Sequence, residues 1–75
     1  MATFGERLKQ VRLENNLTQK NLSEEINIGI MALSSYETDK REPNLKVIRL
    51  VCKKFNVCSD YFLGLSDERT HLKAN

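Results

Sequence analysis

The stretch "LTQKNLSEEINIGIMALSSYE", Leu17 to Glu37, constrains this chain more than any other. It holds two short runs of helical periodicity separated only by Asn27-Ile28-Gly29. In the first run Leu22 and Ile26 lie four apart on one face, and Thr18 stands where an N-cap belongs. Leu17 before that cap and Leu22 at the fourth helical position are placed for a hydrophobic staple. Asn27 tolerates the left-handed conformation that ends a helix, and Ile28 drops toward a core. The next helix starts at about Gly29 or Ile30 and carries Leu33 and Tyr36-Glu37. Helices joined by so short a turn must pack directly on each other.

The remaining segments read in the same terms. Phe4, Leu8, Val11 and Arg12 share one side of a first helix with Thr3 as N-cap, while Glu6, Lys9, Gln10 and Glu14 lie outside; it runs down near Asn15 or Asn16. Asn44 caps a fourth helix with an apolar stripe at Leu45, Ile48, Cys52 and Phe55. Ser59 caps a short fifth helix over Asp60 to Leu63, which Gly64 ends. No segment alternates with the period of a strand, so the predicted fold class is all-α, a compact five-helix domain. Its weakest element is the third helix, with glycine near the cap, no acidic first turn and two adjacent serines. A chain of 75 residues makes one domain, near the lower edge of what a single core supports. With no Trp and few aromatics, that core must come largely from Leu, Ile and Val. Residues 1–66 are read as the domain and residues 67–75 as a polar, frayed tail.

Enzyme chemistry finds little footing. His71 is the single histidine, and with Cys52 and Cys58 it does not supply the four ligands of a structural zinc site. Cys52 falls on a core position and Cys58 near a helix N-terminus without a histidine close in sequence, so both read as inert thiols. Glu24-Glu25 and Asp67-Glu68 are adjacent carboxylates that point in different directions, which marks solvated surface. The three glycines form no phosphate-cradling loop. No metal, cofactor or small-molecule effector site is therefore expected in this chain. Two cysteines make at most one bridge, "MATFGERLK" has no apolar leader, and no segment approaches a membrane span. The expected compartment is the cytoplasm.

The second and third helices have helix-turn-helix spacing. In such a unit the last helix lies in the major groove while the helix before it crosses the backbone. Gln19, in the first turn of the second helix, then stands beside a phosphate, where free N–H groups favour an anion. Lys40 and Arg41 beyond the third helix straddle a neighbouring phosphate, with Lys46 nearby. The net charge is only +2, so placement of these cations matters more than their sum. By itself "DKRE" reads as a solvated turn; joined to Gln19 and the helix spacing, it reads as a phosphate clamp.

Together "FGERLKQVRLENNLTQKNLSEEI" and "SSYETDKREPNLKVIRLVCKKFNVCSDYFLG" resemble the Cro/C1-type helix-turn-helix family, also called the Xre family, of phage repressors and bacterial regulators. Leu17-Thr18-Gln19, Tyr36-Glu37, Lys40-Arg41-Glu42-Pro43 and Asp60-Tyr61-Phe62-Leu63-Gly64 match in register, over about Phe4 to Asp67. The resemblance implies a lambda-repressor-like five-helix domain that binds double-stranded DNA, usually as a two-fold homodimer on a palindromic operator. It implies a structural ion pair between Arg12 and Glu37, consistent with an arginine on an otherwise apolar face. Base-facing positions fall on Ile30, Met31 and Ser35, with Ser34 close by.

Here the chain departs from the family pattern. Members often carry Ser or Thr where Gly29 stands, followed by Arg, Gln or another polar residue. This chain has no Arg for guanine and no Gln or Asn for adenine at the base-facing positions. Three accounts compete. Ile30 and Met31 touch thymine methyls while a serine makes one polar bond and DNA shape supplies the rest; or the third helix is rotated or shifted, so that Ile30 or Met31 is partly buried and different residues reach the groove; or the apolar pair serves a protein contact, as in an antitoxin-like or other interaction module with weak or non-specific DNA binding. The second half of the chain also carries more apolar residues than one small core needs. From that surplus a dimer interface is expected at Val47, Leu50, Tyr61, Leu63 and Leu65, on the end of helix four and helix five.

Overall fold

The computed structural model describes residues 2–70. Five helices follow in order: α1 Phe4–Glu14, α2 Gln19–Glu25, α3 Ile30–Glu37, α4 Leu45–Phe55 and α5 Ser59–Phe62, with no strand among the described residues. The starts of α1 and α2 carry capping boxes. Thr3 Oγ1 accepts from the Glu6 N–H while Glu6 reaches back to the Thr3 N–H at 2.9 Å, and Thr18 and Asn21 repeat the arrangement. Asn44 caps α4 through the Val47 N–H at 2.9 Å. Asparagines also end helices: Asn16, Asn27 and Asn56 all have φ between 54° and 58°, where a short polar side chain meets the smallest penalty after glycine. The fifth helix begins one residue earlier than its spacing predicts, with Cys58 rather than Ser59 at the cap and no side-chain bond there.

α1 packs on α3 and α5, α2 packs on α3, and α4 packs on α5. Leu8, Leu22, Leu33, Val51 and Phe62 are the largest fully buried side chains, so every helix sends one residue to the same centre. Phe4 and Tyr61 flank Phe62, with ring centroids 6.0 and 5.7 Å away.

Two sequence expectations need correction. The stripe Leu45, Ile48, Cys52, Phe55 is not the buried face of α4: Leu45 is 69% exposed, the other three are half-buried, and Val47 and Val51 are interior. Apolar residues span a broad arc of this helix, from Leu50 round to Leu45, and the expected stripe lies toward one edge of that arc. Lys46, Arg49 and Lys53 lie on one side, all exposed. The opposite side centres on Val51, somewhat under a quarter of a turn from the centre of the expected stripe.

The start of the C-terminal segment is docked rather than frayed. The Cys58 N–H donates to the Arg69 carbonyl at 2.8 Å, and Arg69 forks onto the Glu14 carboxylate while bonding Tyr61 Oη at 3.1 Å. That fork lowers the Glu14 pKa. On the same seam Arg7, an overlooked core arginine, stacks 4.3 Å above Tyr61. It donates to the Tyr61 and Ser66 carbonyls and to Asp67, each at 2.7 Å. His71 and the end of the proposed tail lie outside the described residues.

Candidate nucleic-acid interface

The rotation of α3 is fixed from inside. Leu33, Tyr36 and Glu37 are buried, which turns the opposite face of an eight-residue helix to solvent. Met31 is 82% exposed and Ile30 46%. Neither residue is interior, although about half of Ile30 is covered. Ser34 and Ser35 follow one helical turn later, half-buried, and their hydroxyls have no intramolecular bond among the described residues. Rows Ile30–Ser34 and Met31–Ser35 thus each present an apolar tip followed by a hydroxyl.

Glu37 ties this helix to two others. Its Oε2 accepts from Arg12 Nε at 2.6 Å and its Oε1 from Arg12 Nη2 at 3.0 Å, a bidentate pair with both side chains nearly closed to solvent. Arg12 Nη1 also bonds the Leu17 carbonyl at 2.9 Å, so the arginine spans from α1 to the approach of α2. Gln19 Nε2 donates to the same Glu37 Oε1 at 3.0 Å. A primary amide has two N–H donors; one is spent on Glu37 and orients the first residue of α2, while the other stays free for an anion.

The turn after α3 is also built to aim its side chains. The N–H groups of Lys40 and Arg41 both donate to the Ser35 carbonyl, at 2.9 and 3.3 Å. Thr38 Oγ1 caps the Ser34 carbonyl at 2.9 Å. Asp39 adopts φ 60° and directs its carboxylate away from these cations, onto the Gly5 N–H at 3.0 Å and the Thr3 hydroxyl. There it faces the N-terminus of α1, where a negative charge is favoured. Lys40 and Arg41 remain exposed, Arg41 with its guanidinium 5.6 Å from the Tyr36 ring centroid. Lys46, also exposed, follows in the first turn of α4. Of the two acids in α2, Glu25 is occupied by Lys54 of α4, whereas Glu24 lines a shallow cleft with Lys20, Gly29 and Ile30.

Gly5 was missed by sequence reasoning, although a glycine in the first turn of a helix is a visible signal. A Cβ built there would lie 2.5 Å from the Tyr36 carbonyl oxygen and 2.6 Å from that of Glu37. Its absence is what lets α1 touch the end of α3. Gly29 is different: nothing lies within 4 Å of a Cβ there, and α3 has no side-chain cap.

The residues expected at a dimer interface divide. Val47 and Tyr61 are core residues, 2% and 6% exposed, so neither has surface to offer a second copy. Leu50 is half-buried, and Leu63 and Leu65 are exposed. Leu63 shares an open cleft with Phe4, Pro43 and Ile48. Burial raises the pKa of the Cys52 thiol, which keeps it a poor nucleophile. Among the described residues no three His, Cys, Asp or Glu side chains gather as metal ligands, and no helix is long and apolar enough to cross a membrane.

Residues 8–62 match the helix-turn-helix family of the Cro/C1 type. The HTH-type transcriptional regulator ImmR of Bacillus subtilis is 40% identical over 62 residues, which are 83% of this chain and 49% of that protein. The immunity repressor protein of Bacillus phage phi105 is 37% identical over 62 residues, 83% of this chain and 43% of the repressor. The HTH-type transcriptional activator BcrR of Enterococcus faecalis is also 37% identical, over 81% of this chain and 30% of its own length. This chain thus spans about half or less of these relatives. Its fold superposes on the P22 c2 repressor, crystallised with the synthetic operator 9T, with a TM-score of 0.81 at 24% identity, covering 88% of this chain and all of that one. The chain belongs to the Cro/C1-type helix-turn-helix family.

Proposed function

We propose that this chain is the sequence-specific DNA-binding unit of a transcriptional regulator, with α3 in the major groove of double-stranded DNA and α2 crossing the backbone. The observation that carries this reading is the exposed face of α3, flanked by an anchored Gln19 and by the exposed Lys40 and Arg41. Gln19 and the first-turn N–H groups of α2 contact one phosphate; Lys40, Arg41 and Lys46 contact others. The relatives include an activator and a repressor; we read this chain as a repressor. Such a protein works in the cytoplasm.

A helix-turn-helix unit covers one half-site, so a homodimer on a palindromic operator completes the reading. With Val47 and Tyr61 in the core, the surface left for it is Leu63 and Leu65 with the edge of Leu50 and, on α4, Leu45 and Ile48. A second reading, a protein-interaction module, is favoured only by the apolar character of Ile30 and Met31.

The test is fluorescence anisotropy of a random duplex across a salt series. Binding should weaken steeply with salt, and Lys40→Ala/Arg41→Ala should lower the slope of log K against log salt by about 2 per bound chain. Absence of binding at low salt would leave the protein-interaction reading in place of this one.

A further inference from the structure

We propose that α4 carries a docking face for an acidic segment of another protein: Arg49 and Lys53 pair with its carboxylates, and Ile48 and Cys52 seat one of its apolar side chains. The face belongs to α4 and the start of α5, apart from the base-facing positions of α3, so it adds to DNA binding rather than replacing it.

The charge of this chain is unevenly placed. Residues 40–56 hold six of the twelve Lys and Arg side chains against one acid, Glu42. Lys40, Arg41 and Lys46 are taken up by the phosphate reading, and Lys54 pairs with Glu25 of α2. Arg49 and Lys53 are left over. Both are exposed, four apart on one row of α4. Among the described residues, neither has a carboxylate within ion-pair distance. Beside that row runs a second, Ile48 and Cys52, each half-buried. The two rows line an open cleft of about 410 Å³, with Asn56 and Ser59 at its far end.

An apolar row beside two unpaired cations selects its occupant. DNA phosphates would neutralise Arg49 and Lys53 but bring no apolar group to cover Ile48 and Cys52. A second copy meeting this face on a twofold axis would set Arg49 and Lys53 against their own equivalents, a costly like-charge contact. A segment with Asp or Glu around a Leu, Ile or Phe satisfies both rows. Arg49 forks onto one carboxylate, Lys53 supplies a point charge for another, and the apolar side chain covers Ile48 and Cys52. Ile48 also borders the cleft of Phe4, Pro43 and Leu63, so the docked segment lies next to the surface read as the dimer interface.

A random peptide display library is panned in parallel on the wild-type chain and on Arg49→Glu/Lys53→Glu, whose exposed positions should leave the circular dichroism spectrum and melting curve unchanged. Peptides retained by the wild type alone should be enriched in Asp and Glu flanking an apolar residue. Such a peptide should bind the double variant about 10-fold more weakly, two exposed ion pairs giving way to repulsion. It should lose a similar factor when its own acids become Asn and Gln. Occupancy should slow maleimide labelling of Cys52 at alkaline pH and leave Cys58, which does not line the cleft, unchanged. Retention of no peptide, retained peptides without acids, or acidic peptides that bind without protecting Cys52 would overturn the proposal. A random duplex that protects Cys52 as fully as peptide does would also overturn it, and would assign the face to nucleic acid.

Discussion

At the scale of single residues, the two glycines of the helical region behave oppositely, and backbone surroundings decide which. Gly5 sits where a Cβ would meet two carbonyl oxygens of the α3 terminus, at 2.5 and 2.6 Å. Those atoms belong to main chain and cannot turn aside as a side-chain tip can. Gly5→Ala should therefore cost about 1–3 kcal/mol, the range for overpacking a well-filled site. Gly29 stands in open space at φ −58° and ψ 143°, a conformation open to any residue. A serine there would supply the missing cap of α3 and reduce the freedom of the unfolded chain. Gly29→Ser should raise stability by about 0.5–1 kcal/mol, or roughly 2–8 °C in melting temperature for a domain of this length. Thermal unfolding of the two variants by circular dichroism measures both, and they should move in opposite directions.

At the scale of elements, what could be read beforehand depended on how local the signal was. Caps at Thr3, Thr18 and Asn44, the left-handed Asn27 and the tight α2–α3 connection all rest on residues within four positions of each other, and they were legible. The rotation of α4 was misread, because its apolar arc is broad and the expected stripe lies at one edge of it, whereas the side opposite Lys46, Arg49 and Lys53 holds Val47 and Val51. Arg7 was passed over for another reason. Its partners, Tyr61, Ser66 and Asp67, lie more than fifty residues away, and no spacing rule connects them. The docked tail follows the same logic, since Arg69 finds Glu14 and Tyr61 only in three dimensions. That docking has a pH signature. Arg69 holds Glu14 below the ordinary value of 4.5, so the pair stabilises the fold fully above the unfolded-state pKa. The contribution fades as pH falls through the lower, folded-state value. Glu14 should titrate by NMR below 4.5 in the wild type and return toward it in Arg69→Ala. The stability gap between the two proteins should narrow as acid is added.

At the scale of the whole molecule, the Arg12–Glu37–Gln19 node joins the scaffold to the proposed DNA surface. One buried carboxylate receives α1 through Arg12 and α2 through Gln19, and it sits at the last residue of α3. Stability and positioning therefore share an atom, yet they can be separated. Arg12→Ala leaves Glu37 buried with only the Gln19 amide, and should cost about 3–5 kcal/mol, as breaking one side of a buried pair does. Replacing both charges with apolar residues of similar volume, Arg12→Met with Glu37→Leu, removes the stranded charge and should fold within about 1–2 kcal/mol of wild type, because burying the pair is itself costly. The double variant also removes the acceptor that orients Gln19. Its amide then has no fixed direction at the start of α2, so the phosphate contact must be assembled from a mobile side chain. DNA affinity in the folded double variant should fall about 5- to 10-fold, roughly the net worth of one ordinary hydrogen bond, and Gln19→Ala should add little to that loss. Unfolding curves for the single and double variants, paired with anisotropy on one duplex at one salt concentration, measure the two quantities independently. If the double variant folded well and bound DNA as tightly as wild type, Gln19 would owe nothing to Glu37, and the node would serve the scaffold alone.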